Sequence, residues 1–294
     1  MKENIDPKQL FPAPPFDTPR QEHPGTEDKM QPKADHGEES YVGYHRFTDK
    51  RVVITGGDSG IGRAVSIAFA REGADVLISY LADAEDKDAE ETADYIRKAG
   101  RKAILMKGDT TNEEQCKAIV KKAVDEFGQI DVLINNAAFH RSRERIEDIP
   151  DDEWDLTFDT NVRAIFHLCK AAIPHMPKGS SIINTTSVTA FEPSEDLLPY
   201  SATKSAILNF TSNLSQILLK QDKGIRVNAV APGPVWTPLI PATKFNVENF
   251  GKNTAMERPG QPVEIAPAFL FLASADASFI SGAVLPVTGG RITI

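Results

Sequence analysis

Of 294 residues only two are cysteines, Cys116 and Cys169, and no C-x-x-C spacing joins them. Two isolated thiols make neither a disulfide framework nor a metal knuckle. Both fall in segments that read as helices, which predicts reduced, packed side chains. No apolar run approaches the roughly 18 residues of a membrane span. The opening MKENIDPKQL lacks the apolar centre of a secretory leader, so a cytoplasmic location is expected. Positive charge is in deficit, 33 Lys and Arg against 42 Asp and Glu for a net −9. With no basic cluster, neither nucleic acid nor an anionic membrane surface is expected as a partner. The six histidines, at 23, 36, 45, 140, 167 and 175, include no i, i+4 pair flanking a carboxylate, and no metal site is expected.

Residues 1–45 differ from the rest of the chain. Pro7, Pro12, Pro14, Pro15, Pro19, Pro24 and Pro32 remove donors and fix φ, which rules out a regular helix or a central strand. Too few aliphatics are present for the segment to fold alone. Leu10, Phe11, Phe16, Tyr41 and Tyr44 are nevertheless apolar enough to anchor it. A proline-rich arm is expected, extended over the catalytic domain of residues 46–294 and onto a neighbouring subunit.

From Arg51 the pattern alternates. Strands are expected at 51–55, 75–80, 102–107, 132–135, 181–186, 226–231 and 283–287. Helices are expected at 61–72, 84–99, 113–127, 152–175, 200–220 and 262–272. Such alternation gives parallel strands joined by right-handed helical crossovers. The continuous apolar run Val132–Asn135 suits a sheet covered on both faces. The expected fold is α/β, a doubly wound parallel (Rossmann) sheet in a single domain with an irregular N-terminal arm.

The first strand runs into TGGDSGIG, residues 55–62, and a helix follows directly. Gly56 permits the tight turn, Gly60 lets backbone approach a pyrophosphate, and Gly62 allows close helix–strand packing. Free N–H groups at the helix start then face the phosphates. The strand before and the helix after supply the context that a glycine-rich turn alone lacks. Further on come Asn135-Asn136-Ala137-Ala138, a strand ending at Ser187, Tyr200-Ser201-Ala202-Thr203-Lys204 and Pro232-Gly233-Pro234-Val235-Trp236-Thr237.

With its T-G-x-x-x-G-x-G spacing, this order of motifs resembles the short-chain dehydrogenase/reductase family over residues 50–290. The proline-rich arm narrows the resemblance to an N-terminally extended bacterial branch associated with general stress. Ala138 departs from the family's N-N-A-G. The resemblance implies a catalytic set of Ser187, Tyr200, Lys204 and Asn161, the last holding a water in a proton relay. It implies dinucleotide contacts at Gly56, Asp58, Ser59, Gly60, Ile61, Gly62, Tyr80, Asp109, Thr110, Asn136, Ala137, Ala138, Tyr200, Lys204, Pro232, Gly233, Val235 and Thr237. It also implies a homotetramer built on the helices 152–175 and 200–220 and the last strand.

The reaction so implied is hydride transfer between a nicotinamide cofactor and a small aldehyde, ketone or secondary alcohol. Tyrosine's ordinary pKa of about 10 is too high for a base at neutral pH. A lysine ammonium about 4 Å away, at an effective dielectric of about 20, would lower it by about three units. Lys204 is therefore expected to bring Tyr200 near working pH, with Ser187 binding the substrate oxygen. Ser59 and Leu81 occupy the places where a basic residue would grip a 2′-phosphate, and Asp58, Asp83, Glu85 and Asp86 make the neighbourhood acidic. NAD is favoured on these grounds, with NADP possible. Phe139, His140, Val188, Thr189 and Phe191 are expected to line the substrate pocket under a cap of residues 239–259, His140 as an ordinary pocket residue. Three alternatives stand beside this. Sugar-nucleotide epimerases carry a larger C-terminal domain, and enoyl reductases space tyrosine and lysine more widely. A non-catalytic NAD(P)-sensing protein of the same fold would show damage in the catalytic residues, and none is visible.

Overall fold

The computed structural model describes residues 5–244 and 246–291. Phe245, inside the expected cap, and residues 292–294 lie outside the described residues. Seven strands form one sheet: β1 Arg51–Thr55, β2 Asp75–Tyr80, β3 Ala103–Lys107, β4 Val132–Asn135, β5 Ser181–Thr185, β6 Arg226–Pro232 and β7 Val284–Val287. They run in the order β3-β2-β1-β4-β5-β6-β7, and every pair is parallel. Their apolar runs follow from burial on both faces; all four residues of β4 are buried.

The crossovers are α1 Gly60–Arg71, α2 Asp86–Lys98, α3 Glu113–Phe127, α4 Asp151–Phe158 with α5 Ala164–Ala172, and α6 Leu198–Lys220; α7 Leu239–Thr243 and α8 Pro262–Ala273 follow β6. One face of the sheet is covered by α1, α2 and α8 around Phe69, Ile96 and Phe269. The other is covered by α3, α5 and α6 around Ile119, Leu168 and Ile207. Strand order reverses between β1 and β4, and in an open parallel sheet that switch point leaves a crevice beyond the strands' C-terminal ends.

The long helix expected over 152–175 is not continuous. Between α4 and α5 the chain widens into a π turn, Asp159–Arg163, and after α5 it tightens into a 3-10 turn, Ile173–His175. Asn161 lies in the π turn and is fully buried. Its Oδ1 accepts the Phe139 N–H at 2.8 Å, and its Nδ2 donates to Phe139 O at 2.9 Å and Thr203 Oγ1 at 3.0 Å. The local widening brings an interior side chain to three partners on two other segments, a common setting for π turns.

Among its described residues the arm makes two short 3-10 turns, Pro7–Gln9 and Glu27–Lys29, and lies along its own catalytic domain. Phe16 and Met30 are buried with Trp236, the Phe16 and Trp236 rings 4.3 Å apart. Trp236 Nε1 donates to Pro32 O at 2.8 Å, Phe16 N to Glu248 O at 2.9 Å, and Arg258 Nη2 to Pro7 O at 2.7 Å. Tyr41 OH reaches Glu72 at 2.8 Å, and Arg71 donates to the carbonyls of Gly37, Glu38 and Tyr41. Two of the five expected anchors do not serve: Leu10 is 47% exposed and Tyr44 75%. Polar contacts to carbonyls, invisible to hydropathy, hold those parts of the arm.

Candidate active site

The crevice is a cleft of about 340 Å³ lined from Tyr80, Leu81, Asp109 and Thr110 at one end, past Gly56–Ile61, to Ser187, Tyr200 and Lys204 at the other. The phosphate turn is built to be thin. Gly56 has φ +60° and a Cβ there would come within 3.1 Å of Ala137 Cα. A Cβ on Gly62 would run into the Gly56 carbonyl, so this glycine packs helix on turn and does not line the cleft. Asn136 buckles the turn to β4: its Nδ2 donates to Thr55 O at 3.2 Å and Gly56 O at 3.0 Å, while Thr55 Oγ1 accepts the N–H groups of Asn136 and Ala137. Ser59 does not cap α1, and the first helical N–H, that of Gly60, goes to Glu27 of the arm at 2.8 Å.

Every residue expected at the dinucleotide lines this cleft except Gly62. The cleft fits an elongated phosphate-bearing ligand with a planar end group. Its middle lacks side-chain bulk and a helix begins there. The residues to hold a nicotinamide dinucleotide are thus present.

At the opposite end, Ser187 follows β5 and its Oγ accepts the Thr189 N–H at 3.1 Å, capping a short 3-10 turn. Lys204, one turn along α6 from Tyr200, is 1% exposed; its Nζ donates to Thr185 O at 2.8 Å and lies 5.2 Å from the Tyr200 ring centre. Burial pushes the Lys204 ammonium down to about 7. Burial likewise pushes Tyr200 up to about 12, against a lowering hydrogen bond from Ser187. Burial therefore opposes the effect expected of Lys204 on Tyr200. Desolvation acts on both groups in the same low-dielectric wall, and it disfavours both charged forms.

Asn161 does not line the cleft, and both ends of its amide are engaged. Its side chain fixes the Phe139 backbone. Phe139 and His140 line the cleft as expected, but Val188, Thr189 and Phe191 do not, because the 3-10 turn capped by Ser187 carries them away. Pro238, Leu239 and Ile240 supply the cap's lining, while Val247 and Phe250 pack against the arm cluster instead. His140 is buried, its pKa pushed down to about 3 by burial, with its ring 5.0 Å from that of Tyr200 and its Nδ1 unpartnered. His23 and Pro24, arm residues that no motif marks, also line the cleft. The His23 ring meets Phe139 edge-on at 5.0 Å.

Known proteins resemble the chain over most of its length. A short-chain dehydrogenase model described as enoyl-(acyl carrier protein) reductase matches residues 56–291. General stress protein 39 of Bacillus subtilis is 47% identical over 91% of this chain and 93% of its own. Glucose and ribitol dehydrogenase of Daucus carota is 45% identical over 93% and 95%. The chloroplastic NADPH-dependent aldehyde reductase 1 of Arabidopsis thaliana is 44% identical over 92% and 95%. Among solved structures, a short-chain dehydrogenase of Burkholderia cenocepacia in complex with NADP superposes with a TM-score of 0.78 at 30% identity, covering 83% of this chain and 98% of that one. The seven-stranded sheet, the thin phosphate turn and the serine, tyrosine and lysine at one end of its cleft agree with these likenesses, and the chain belongs to the short-chain dehydrogenase/reductase family, a nicotinamide-dependent oxidoreductase of carbonyls and alcohols.

Proposed function

We propose that the protein reduces small aldehydes and ketones, with Tyr200 as the proton donor, Ser187 as the substrate-oxygen ligand and Lys204 as the cation beside the ribose. The single observation that carries this reading is the convergence of Ser187, Tyr200 and Lys204 at one end of a cleft whose other end is the glycine turn. The nicotinamide supplies the hydride. Tyr200, held up at about 12, keeps its proton at neutral pH and so presents an O–H to a carbonyl oxygen that is gaining charge. Ser187 adds a second polar contact to that oxygen, and Lys204, near 7, returns a proton toward the tyrosine side once it has donated. Phe139, Leu239, Ile240 and the buried neutral His140 make an apolar wall around a small substrate.

For the dinucleotide, the acidic neighbourhood that favoured NAD is weaker than it reads in sequence. Burial raises Asp58 to about 8, so at pH 7 its carboxyl is mostly neutral. Glu85 holds the N–H groups of Leu81 and Ala82 at 2.9 Å each. With both charges muted, and with one relative and a structural neighbour named for NADP(H), we take NADP(H) as the preferred cofactor and NAD(H) as a usable second. Exposed apolar residues on the helices expected at a subunit interface, Trp154, Phe166, Ile217 and Leu219, support a homotetramer. No helix among the described residues is long and apolar enough to cross a membrane.

Titration of purified protein with NADPH and NADH by nicotinamide fluorescence, then turnover with a panel of aldehydes, ketones and polyols, tests the proposal. Tighter NADH binding overturns the cofactor preference. Dinucleotide binding with no turnover of any carbonyl or alcohol favours the sensing alternative.

A further inference from the structure

Against the phosphate turn the arm buries an ion pair whose members do not line the cleft. Glu27 and His36 are 5% and 3% exposed, and His36 Nε2 meets Glu27 Oε1 at 2.9 Å. The same Oε1 accepts the Gly60 N–H at 2.8 Å. Glu27 is absent from the cleft lining, so it does not compete for the phosphate position. Its own N–H donates to Asp88 Oδ2 at 2.9 Å, and Asp88 also pairs with Arg63 at 3.3 Å. Arg63 Nε in turn holds the carbonyl of Asp58, within the turn, at 2.9 Å. The turn is therefore gripped at two points, Asp58 and Gly60, and one grip comes from the arm.

Gly60 sits at φ +50°, a conformation that its neighbours must hold. A carboxylate at that place has a second effect. It lies at the helix end that is to receive a diphosphate, and unpaired it would repel the ligand. His36 supplies the opposite charge, its other nitrogen, Nδ1, held by Glu38 at 2.9 Å. We propose that Glu27 and His36 are positioning residues for the dinucleotide: Glu27 fixes the Gly60 N–H and so the shape of the phosphate turn, and His36 keeps that carboxylate from opposing the diphosphate. The arm is thereby part of the cofactor site. This rests on the reading of the cleft as a dinucleotide site.

His36 contacts Glu27 and Glu38 on the arm; next to Glu27 lie Asp88 on α2 and its partner Arg63 on α1, which also pairs with Glu91, next to Glu38 lies Arg71 on α1, and Gln261, which caps α8, accepts the Asp35 N–H. The carboxylates at contact distance raise the imidazole to about 9. The pair is therefore intact at neutral pH and is lost as pH rises through that value.

The test uses the full chain and measures the NADPH dissociation constant by fluorescence, which needs no substrate. His36→Gln leaves a buried carboxylate uncompensated, and the constant is expected to rise at least about tenfold while kcat at saturating dinucleotide stays within about twofold. Glu27→Gln/His36→Gln keeps an acceptor for Gly60 without either charge, and binding is expected to recover to within about threefold of wild type. Melting curves without dinucleotide establish that each variant is folded. Should His36→Gln alone not fold, the pH series carries the test: wild-type affinity falls more steeply between pH 7 and about 10 than that of the double variant, which keeps only the fall due to Asp58 and Lys204. A His36→Gln constant within about twofold of wild type, or coincident pH series for wild type and double variant, overturns the role of the pair. Failure of the wild type to bind any dinucleotide overturns the reading of the cleft, and this inference with it.

Discussion

Removing the Phe16 ring tests whether the arm is bolted down where the structure bolts it. Phe16 is 5% exposed, stacks on Trp236 at 4.3 Å and shares a small core with Met30. Phenylalanine-to-alanine changes in closed cores cost about 3–5 kcal/mol, but an arm can relax into the space, which places Phe16→Ala near the low end, at about 3 kcal/mol. At about 2 °C per kcal/mol for a chain of this size, the melting temperature should fall by about 6 °C. Leu10→Ala is the control, because Leu10 is 47% exposed; its change should stay within about 0.5 kcal/mol. Trp236 reports locally, since it is fully buried under the arm whereas Trp154, the other tryptophan, is 39% exposed. In Phe16→Ala the emission should shift to the red and become more accessible to quenchers. Equal melting of the two variants, or a Phe16→Ala shift under about 1 °C, would refute the anchoring argument. A chain beginning at Tyr41 should show the same spectral change in stronger form.

Other expectations follow from the cleft. Tyr200→Phe keeps the ring's packing and removes the proton, so kcat should drop by about 10²-fold or more while the NADPH dissociation constant stays nearly constant; a tenth of wild-type activity would be too much for the role assigned. His140, held near 3 against an unfolded value of about 6.5, makes the folded state bind fewer protons than the unfolded one. Stability should therefore decline as pH falls from about 6.5 toward 3, and His140→Gln should flatten that part of the curve in denaturant titrations across pH. Asp58, raised to about 8, ionises above that pH within the glycine turn that lines the cleft. The NADPH-to-NADH dissociation-constant ratio should then rise with pH, and Asp58→Asn should abolish the rise; a pH-independent wild-type ratio counts against it.

Much of the site is legible in sequence because its chemistry is tied to chain direction. A strand ending in Thr55, a helix beginning at Gly60 and the thin glycine turn between them leave a trace as periodicity broken by glycine. The same holds for Ser187 after β5 and for Tyr200 and Lys204 one turn apart on α6. The strand boundaries matched within a residue because both faces of the sheet are buried, which leaves uninterrupted apolar runs. What did not show was non-local. The π turn at Asn161 has an ordinary helical pattern; its widening comes from Phe139 and Thr203, which are 22 and 42 residues away. Lys204's depressed pKa depends on how deeply α6 is buried, whereas the pairwise lysine–tyrosine argument treats the two groups as if desolvation acted on neither.

The arm shows the limit most plainly. Proline content excludes regular structure, and hydropathy picks out Phe16 correctly, yet it also picks out Leu10 and Tyr44, which face solvent. The residues that tie the arm to the phosphate turn are Glu27 and His36, and in sequence both look like members of a solvated, charged tail. Their burial is tolerable only because each satisfies the other and Gly60 supplies a donor. A charged residue in a proline-rich segment is thus ambiguous until its partner is known. Here the partner of Glu27 lies 33 residues on, inside the motif that identifies the family. An arm held through ionic groups at that motif has a consequence that apolar anchoring lacks: its attachment and the geometry of the cofactor turn respond to the same protonation, that of His36.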